Sequence, residues 1–572
     1  MDNSEVAAVF HEIADLLEIQ GVSFRPQAYR RAAQNIGQMD DPLLDVMKDG
    51  ELEELPGIGK AMARTIQELL ETGELEYLKT LRAEVPSGLL ELIRIPNVGP
   101  KTAMLLHREL GISSLEQLKK AIDEHRLAAM KGLGEKTEER IRQGILLVEA
   151  SIGRTLLGEA LPIAEAYMEH LRGSNGMMMS VAGSLRRGKD TVGDIDILVG
   201  SDDPAAIMDA FISYPLVDAV IASGSTKSSV RLKGGMQVDI RAVAPGSYGA
   251  AQQYFTGSKE HNVALRRIGV EKGLKLNEYG LFERDSGREV ASATEEDVYR
   301  ALGFPLIPPE LREGSGEIEA ALNGALPELI NEDQVLGDFH VHTDWSDGAN
   351  TIDEMVASAI AKGYEFVAIT DHSQSLRIAN GLTPERLNDQ VRKVREADER
   401  ADGRIRVLAG SEVDIKVDGS LDFPDDVLMD LDVVIGSVHS RFQMDKREMT
   451  ARVVNAIESG MIDILGHPTG RLLGQRAPYE IDLPAVLDAA AMNGVCVEIN
   501  SFPDRLDLKA EDCRTAKGLG VKVSIGTDSH GIEHMDFIRL GVITARRGWL
   551  EAKDVLNTYS APEVLKTLRS RR

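Results

Sequence analysis

Residues 337–349 read GDFHVHTDWSDGA, and this stretch opens a series of potential metal ligands in the second half of the chain. His340 and His342 stand two residues apart in a strand-like run, so both side chains point to the same face of the strand. Asp347 follows in the segment after that run. Two histidines and a carboxylate in this arrangement are typical ligands of zinc, manganese or iron.

Six further potential ligands follow, and most of them stand at the end of a short β-like run. They are His372, Glu412, His439, His467, Asp528 and His530. Between residues 334 and 572 such runs alternate with helical stretches, which predicts parallel strands with crossover helices, closed into a barrel. Because strand ends converge on one face of a barrel, nine ligands there suffice for about three metal ions. A single buried histidine usually has a structural role, but six of them with three carboxylates favour a metal centre.

A second group of carboxylates lies in the middle of the chain. Asp194 and Asp196 stand two apart in GDIDIL (193–198), and Asp239 stands in another strand-like run, QVDIRAV (237–243). Clustered carboxylates repel one another unless cations are bound, and three of them suit two magnesium or manganese ions. Asp-x-Asp alone would favour an exposed strand edge. The upstream Gly183 and Ser184 offer donors to a triphosphate, and they favour nucleotidyl transfer instead.

The first 150 residues read as helices, and one Gly-rich pattern recurs in them three times. The copies are LPGIGKAMARTI (55–66), IPNVGPKTAMLL (95–106) and MKGLGEKTEERI (130–141), of which the second has Asn97 in place of a glycine. A tight turn before a helix exposes backbone N–H groups that bind phosphate without reading base sequence. A plain capped hairpin is the alternative for one copy, but three copies favour helix-hairpin-helix DNA binding. The residues are Gly57, Gly59, Lys60, Gly99, Lys101, Gly132 and Gly134, with Lys131 and Lys136 nearby.

Residues 183–198, Asp239 and the segment YFTGSKEHN (254–262) together resemble the family X DNA polymerases, the group that includes DNA polymerase beta. The resemblance covers roughly residues 1–300. It implies that the three aspartates bind the catalytic metals. It also implies triphosphate contacts by Ser184, Arg187, Gly193 and Arg154, sugar contacts by Tyr254, Phe255 and Gly257, a base-edge contact by Asn262 and a template contact by Arg266.

One position departs from this resemblance. Family members with deoxyribose-phosphate lyase activity carry a Schiff-base lysine in the helix after the first hairpin, and Thr65 stands there in this chain. A lyase by that route is therefore not expected. Arg30, Arg31 and Lys60 are candidates for binding a 5′-phosphate, with solvated surface as the alternative.

The second half resembles the PHP (polymerase and histidinol phosphatase) domain, because the HxH, DH, GxE, H, H and DxH elements are all present. This resemblance implies a trinuclear metal phosphoesterase on a distorted (β/α)7 barrel. Glu412 would bridge two ions, and Arg441 or Arg471 would steady a phosphate. The whole chain is similar to the bacterial and archaeal family X polymerases that carry a PHP domain. Gap filling in base excision repair is then expected, with 3′–5′ exonuclease, 3′-phosphatase or AP-endonuclease action in the PHP half.

These patterns predict a multidomain α/β protein with a polymerase-beta-like core. The expected parts are an N-terminal helical DNA-binding domain (1–85), a fingers-type helix-hairpin-helix domain (86–150), a nucleotidyltransferase palm (151–245), a thumb that selects dNTPs (246–303), a linker (304–333) and the PHP barrel (334–572).

Composition limits the partners and the compartment. The net charge of −27 argues against DNA binding by the whole surface, so gapped or nicked DNA and dNTPs are expected to bind through local basic groups, backbone amides and metals. Two cysteines, no signal-like N-terminus and no long apolar run indicate a cytoplasmic, nucleoid-associated protein without membrane contact. A monomer is expected.

Two other enzyme classes remain open on the sequence alone. One is a template-independent nucleotidyltransferase, and the other is a small-molecule phosphomonoesterase of the histidinol-phosphatase type. The hairpin repeats and the YFTGS segment favour a DNA polymerase over both, since neither class needs duplex DNA. A non-catalytic DNA scaffold is disfavoured, because unused clustered charge is costly to keep buried.

Overall fold

The computed structural model describes the chain except for residues 2, 23, 38, 40, 41, 56, 131, 152, 173–177 and 570–572. Lys131 of the third Gly-rich repeat therefore lies outside the described residues. The chain divides into two compact units, residues 1–152 with 474–477, and residues 153–473 with 478–572.

The first unit is helical, as the apolar periodicity predicts. Its helices are α1 (Asn3–Ile19), α2 (Arg25–Gly37), α3 (Leu43–Asp49), α4 (Lys60–Thr72), α5 (Glu76–Glu84), α6 (Ser87–Ile93), α7 (Pro100–Leu110), α8 (Leu115–Asp123) and α9 (Glu135–Ser151). Their apolar faces meet in one core, in which Phe10, Ile66, Leu92, Leu106 and Ile141 are fully buried.

The second unit begins with a five-stranded sheet. The elements of this region are β1 (Thr155–Leu156), α10 (Leu157–Arg172), β2 (Met178–Val181), α11 (Gly183–Arg186), β3 (Thr191–Val192), β4 (Asp194–Gly200), α12 (Ala205–Ile212), β5 (Val217–Ser223), β6 (Lys227–Leu232) and β7 (Gln237–Val243). Strands β1 and β3 pair with each other, apart from the five-stranded sheet. The sheet order is β2-β4-β7-β6-β5, and only β4 and β7 are parallel. Ile195, Ile197 and Val199 alternate toward the core, which leaves the aspartates of β4 on the other face.

A small helical and antiparallel subdomain follows the sheet. It contains α13 (Tyr248–Thr256), α14 (Lys259–Glu271), β8 (Leu274–Asn277), β9 (Gly280–Glu283), β10 (Glu289–Ala291) and α15 (Glu295–Leu302). Its core extends past residue 303, because Ile307, Leu311 and Ile318 are buried with Val298 and Leu302.

The segment predicted as a linker is therefore folded onto this subdomain. It forms a 3₁₀ turn at Pro309–Leu311 and the helix α16 (Glu317–Leu322), and Arg312 between them is fully buried. Its prolines and its Gly-Ser pair are the sequence features that predict a linker. The apolar residues between them are spaced to pack, and that packing decides the outcome.

The rest of the unit is a seven-stranded parallel barrel, and the predicted barrel is confirmed. Its strands are β11 (Gly337–Val341), β12 (Phe366–Ile369), β13 (Arg406–Asp414), β14 (Val433–Ser437), β15 (Ile464–Leu465), β16 (Cys496–Asn500) and β17 (Val523–Gly526). They are neighbours in chain order, and the bridge Val341–Ser529 joins the last strand's end to the first. Its helices are α17 (Ile352–Ala361), α18 (Pro384–Ala401), α19 (Asp425–Met429), α20 (Lys446–Glu458), α21 (Leu483–Asn493), α22 (Ala510–Gly518), α23 (Ile538–Arg547) and α24 (Ala561–Arg569).

None of the helices in the described ranges has the length and apolar character that crossing a membrane requires.

Candidate active sites

The three aspartates of the first carboxylate group meet on the open face of the five-stranded sheet. Asp196 and Asp239 are direct partners on the parallel strands β4 and β7, and ligand atoms of Asp194, Asp196 and Asp239 lie within 4.8 Å of one another. Burial, and then the charges of Asp194 and Asp239, raise the pKa of Asp196 to about 6. The nearest cation is Lys227, whose Nζ lies 3.9 Å from Asp239 Oδ2. Three mutually repelling carboxylates of this kind fit divalent cations.

The predicted triphosphate residues lie at the edge of this cluster. Gly183 has φ +60°, and a Cβ there would stand 2.2 Å from Asp196 Oδ2, so a side chain would collide with the carboxylate. Ser184 follows it in the short helix α11. Arg154 donates from Nε to Thr191 Oγ1 at 2.8 Å and lies beside Gly193. The turn can therefore lie against the clustered carboxylates only because residue 183 is a glycine.

Arg187 joins the turn to the YFTG segment. Its Nη1 donates to the carbonyl of Thr256 at 2.5 Å, and its Nε donates to Glu313 Oε1 at 3.0 Å. A Cβ at Gly257 would stand 3.2 Å from the same Nη1, and Gly257 has φ +70°. The residues predicted to contact triphosphate and sugar are therefore neighbours in space, although some 70 positions separate them in sequence.

The other residues of the YFTG region are held by one another. Tyr254 and Phe255 pack edge to face with ring centroids 5.1 Å apart. Asn262 donates from Nδ2 to the carbonyl of Tyr254 at 2.7 Å and accepts from Gln253 at 2.7 Å. Arg266, one turn further along α14, donates from Nε to the carbonyl of Asn262 at 3.2 Å. The amide of Asn262, predicted to meet a base edge, is engaged with the protein here.

The three Gly-rich turns share one backbone shape. The first position has positive φ in every copy: +76° at Gly57, +69° at Asn97 and +97° at Gly132. Asparagine is the non-glycine residue that best tolerates this region, which explains the substitution in the second copy. At the second position, Gly59 and Gly99 are the N-caps of α4 and α7, and a Cβ on Gly59, Gly99 or Gly134 would meet open space. These glycines leave the backbone open to a ligand.

The candidates for a 5′-phosphate site have unequal surroundings. Arg30 is paired with Asp15 at 2.8 Å and with Glu18 at 2.5 Å, so its charge is neutralised within the first unit. Lys60 is exposed at the start of α4. Thr65 donates its hydroxyl to the carbonyl of Ala61 at 3.0 Å.

The nine predicted ligands of the second half converge at the carboxyl ends of the barrel strands. Three overlapping groups have ligand atoms within 4.8 Å of one another. They are His342, Asp347, His372 and His530; His340, His342 and Glu412; and His372, Glu412 and His439. Asp528 lies against the second group, with Oδ1 3.1 Å from His342 Nε2. Groups that share members in this way suit adjacent metal ions.

Glu412 stands at the centre of the cluster. Its Oε2 faces His372 Nδ1 at 2.8 Å, His340 Nε2 at 3.4 Å and His342 Nε2 at 3.7 Å. Its Oε1 faces His467 Nε2 at 2.9 Å and His439 Nε2 at 3.2 Å. Two oxygens turned to two sets of histidines are the arrangement that a carboxylate bridging two ions requires.

The chemistry of these atoms fits metal ions. Several nitrogen and oxygen atoms of this cluster are buried without a hydrogen-bond partner among the described residues. They are His340 Nε2, both ring nitrogens of His342, His372 Nδ1, His467 Nδ1 and Glu412 Oε2. Burial lowers the pKa of His342 to about 3 and that of His467 to about 4, which keeps these imidazoles neutral and able to ligate. Burial works to raise the pKa of Asp347, but His530, His342 and His372 outweigh it and hold the pKa at about 2.

A second layer of residues, which the sequence did not single out, orients these ligands. Glu498 on β16 lies with Oε1 2.6 Å from His340 Nδ1 and accepts the backbone N–H of His467 on Oε2 at 2.7 Å. Asn500 donates to Asp528 Oδ2 at 3.0 Å. Partners of this kind fix the ring orientation of metal-ligating histidines. Glu498 and Asn500 lie on β16, a strand to which the sequence analysis assigned no ligand. Polar residues on that predicted strand were the sequence signal that could have identified them.

One arginine at the rim was also missed. Arg505 Nε lies 3.3 Å from Asp528 Oδ2, and its side chain is 21% exposed. Of the two arginines expected to steady a phosphate, Arg471 is bonded to Asp190 and to the carbonyls of Arg505 and Leu506. Arg441 is exposed and lines a separate cavity of about 580 Å³. Within the part of the chain that the structure describes, Arg505 is the arginine that pairs with one of the predicted ligands.

Known families match four stretches of the chain. A helix-hairpin-helix domain matches residues 1–75, and a SAM-like tandem helix-hairpin-helix matches residues 89–145. The DNA polymerase beta thumb matches residues 251–313, and the PHP domain matches residues 338–502. The thumb match ends at Glu313, inside the segment that packs onto the thumb core.

Curated relatives match the whole chain or one half of it. The DNA polymerase/3′-5′ exonuclease PolX of Bacillus subtilis is 39% identical over 99% of both chains. Rat DNA polymerase lambda is 26% identical over 54% of this chain and 56% of its own. A probable phosphatase of Thermoanaerobacter is 33% identical over 34% of this chain and 78% of its own.

Proposed function

Because this chain belongs to the family of DNA polymerase/3′-5′ exonuclease PolX, we propose that it fills short gaps in DNA during base excision repair and processes the 3′ ends of the same DNA. One observation carries the proposal. One chain contains both the three clustered aspartates beside the Gly183–Ser184 turn and the cluster of nine potential ligands in the barrel.

In the polymerase half, Asp194, Asp196 and Asp239 would hold two Mg²⁺ or Mn²⁺ ions. Bound there, such ions activate the primer 3′-hydroxyl and neutralise charge on the leaving pyrophosphate. Ser184, Arg187, Gly193 and Arg154 bind the triphosphate. Glu313 competes with the triphosphate for Arg187, since it accepts a hydrogen bond from Arg187 Nε. The sugar is contacted by Tyr254, Phe255 and Gly257. Asn262 contacts the base edge of the dNTP, and Arg266 contacts the template strand.

In the PHP half, nine residues would hold about three ions of zinc, manganese or iron type. They are His340, His342, Asp347, His372, Glu412, His439, His467, Asp528 and His530. Bound there, such ions activate water and polarise a phosphodiester. Glu498 holds His340 in register, and Arg505 binds a phosphate oxygen of the 3′-terminal nucleotide. This half of the chain acts as a manganese-dependent 3′–5′ exonuclease. The same site also has 3′-phosphatase and AP-endonuclease activity.

The helical unit supplies the grip on gapped or nicked duplex DNA. Its Gly-rich turns present backbone N–H groups to phosphates at Gly57, Gly59, Gly99, Gly132 and Gly134. Positive charge comes from Lys60 and Lys101. The enzyme is a monomer that works on DNA in the cytoplasm, associated with the nucleoid.

The experiment is a pair of assays on one purified protein with manganese. One follows dNTP addition to a one-nucleotide gap, and the other follows digestion of a labelled 3′ end. Both are repeated with Asp194→Ala/Asp196→Ala and with His340→Ala/His342→Ala. Each double variant is expected to lose only its own activity. Full nuclease activity in the histidine variant would refute the assignment of the PHP half.

A second candidate for the PHP half is a small-molecule phosphomonoesterase, which the likeness to probable phosphatases favours. Turnover of a free phosphomonoester at rates above those on DNA would support it. A template-independent nucleotidyltransferase is the alternative for the other half. It predicts nucleotide addition to single-stranded DNA without regard to a template.

A further inference from the structure

The turn Gly183–Asp190 carries Ser184 and Arg187, two of the four residues predicted to contact the triphosphate. Gly183 and Gly188 have positive φ, +60° and +64°. Gly188 donates its N–H to the carbonyl of Leu185 at 2.9 Å, and Lys189 donates to the carbonyl of Ser184 at 3.1 Å. The charged residue that ends the turn, Asp190, is bound by side chains from another part of the unit.

Asp190 is clamped by two arginines of the barrel. Arg471 Nη2 donates to Asp190 Oδ2 at 2.9 Å, and Arg547 Nη1 donates to Asp190 Oδ1 at 3.0 Å. The side chains of Arg471 and Arg547 are only 11% and 5% exposed, so water screens these pairs weakly. Each oxygen of the carboxylate therefore has its own charged donor.

The barrel also touches the backbone of the turn. A Cβ at Gly188 would stand 2.2 Å from Ile543 Cγ2 on α23, closer than any real contact. Arg547, the last residue of α23, stands one turn of helix further along. The helix thus meets the turn through one apolar and one charged contact, and the turn has no room to move toward the barrel.

Arg547 also takes part in the balance of charge around Arg187. Glu313 Oε1 lies 3.0 Å from Arg187 Nε and 3.9 Å from Arg547 Nη2, and Glu313 Oε2 lies 3.7 Å from Lys189 Nζ. Without Arg547, Glu313 would keep only Arg187 and Lys189 as cations. It would then hold Arg187 more firmly, and Arg187 would be less free to bind a triphosphate.

We propose that Arg547 and Arg471 are positioning residues for the polymerase reaction, through which the PHP barrel holds the triphosphate turn Gly183–Asp190 in its binding shape and keeps Arg187 available. The proposal rests on the proposed polymerase function. It assigns to the barrel a role in dNTP binding that is separate from its own nuclease chemistry.

The test compares Arg547→Gln with wild type in single-nucleotide gap filling. The KM for dNTP is expected to rise about tenfold, because a charge-assisted contact on the turn is lost, with a smaller change in kcat. Arg547→Lys should restore part of the loss. Glu313→Gln placed in the Arg547→Gln background should also lower the KM again, since the carboxylate that competes for Arg187 is then neutral.

The matched control is Arg546→Gln. Arg546 is the preceding residue on α23, and it bonds to Glu310 Oε1 at 2.7 Å and to the carbonyl of Ile330 at 2.7 Å, away from the turn. It should lower the melting temperature without raising the KM for dNTP. The 3′–5′ exonuclease rate of both variants should match wild type.

An unchanged KM in Arg547→Gln would overturn the proposal. So would a parallel fall of polymerase rate, nuclease rate and melting temperature, with no recovery from Glu313→Gln, because that pattern describes a purely structural contact. A wild-type protein that adds no nucleotide to gapped DNA would instead refute the proposed function, and the two failures are therefore distinguishable.

Discussion

At the scale of single residues, His340 has a different task at each ring nitrogen. Nδ1 lies against Glu498, and Nε2 points without a hydrogen-bond partner toward Glu412 and Asp528. The first contact fixes the ring so that the second atom faces the centre of the cluster. The HxH spacing reveals the ligand, but only the fold reveals Glu498, which stands 158 positions later in the sequence.

Arg505→Gln tests the phosphate contact at the rim of the PHP site. The kcat/KM for 3′-end digestion should fall about 10- to 100-fold, because one charged hydrogen bond to phosphate is lost. Gap filling by the same protein should be unchanged. Arg441→Gln is the matched control, since Arg441 is exposed and lines a cavity whose lining includes none of the nine predicted ligands. Equal losses in both variants would contradict the assignment.

Among the secondary-structure elements, the three hairpin turns have the same backbone conformation at their first position, although the second copy has Asn97 there in place of a glycine. Asn97 occupies the same left-handed backbone region as Gly57 and Gly132. The shape of the turn is therefore common to the three copies, and the residue type varies only among those that tolerate that shape.

Substitutions at Asn97 should follow this rule. Asn97 is exposed, so core packing does not confuse the result. Asn97→Gly should change the free energy of unfolding little, whereas Asn97→Val should lower it by about 1–2 kcal/mol, because a β-branched residue is strained at positive φ. Chemical denaturation of the two variants measures the difference. Equal stabilities would show that the turn relaxes to another backbone conformation.

The segment 304–322 gives a second prediction at this scale, through its buried charges. Burial works to raise the pKa of Glu295, but Arg312 and Arg186 outweigh it and lower the pKa below its ordinary 4.5. A lowered folded-state pKa contributes stability that is present above the unfolded value and is lost as the pH falls through the folded value. Wild type should therefore lose this contribution below about pH 4.5.

Glu295→Gln isolates that contribution. At neutral pH it should destabilise the protein by about 3 kcal/mol, since the fully buried Arg312 and the partly buried Arg186 then face a neutral partner. Its stability should then fall less steeply than that of wild type under acid conditions. Thermal melts at a series of pH values follow both effects, and parallel curves for the two proteins would contradict the assignment.

At the scale of the whole molecule, the net charge of −27 conflicts with DNA binding unless the contacts are local. The Gly-rich turns, with exposed Lys60 and Lys101, are the candidates for such contacts in the helical unit. Each phosphate contact releases counterions, so the affinity for gapped DNA should fall steeply with rising salt.

Lys60→Gln/Lys101→Gln should make that dependence shallower. The slope of log affinity against log salt should shrink by about 0.9 for each phosphate contact removed. Lys79→Gln is the control, because Lys79 is exposed in the same unit but paired with Glu74 at 2.5 Å. Filter binding or fluorescence anisotropy at several salt concentrations measures the slope. A slope that Lys60→Gln/Lys101→Gln leaves unchanged would remove these lysines from the interface.

The amino-acid sequence is enough to predict the helical first unit, the parallel barrel and the two clusters of potential metal ligands. These features follow from local rules. Apolar periodicity sets helix or strand, alternation puts Asp194 and Asp196 on one face, and the carboxyl ends of parallel strands gather whatever residues follow them. The three-aspartate cluster and the nine-residue cluster could be predicted for that reason.

The features that depend on packing between distant segments could be read only from the fold. In the fold, residues 304–322 pack onto the thumb core, and Arg471 binds Asp190 rather than lying at the phosphate site. Glu498 and Arg505 lie against the predicted metal ligands. Burial of apolar side chains and the pairing of buried charges are long-range effects. A charge shows in the sequence, but the partner that neutralises it is chosen by the fold.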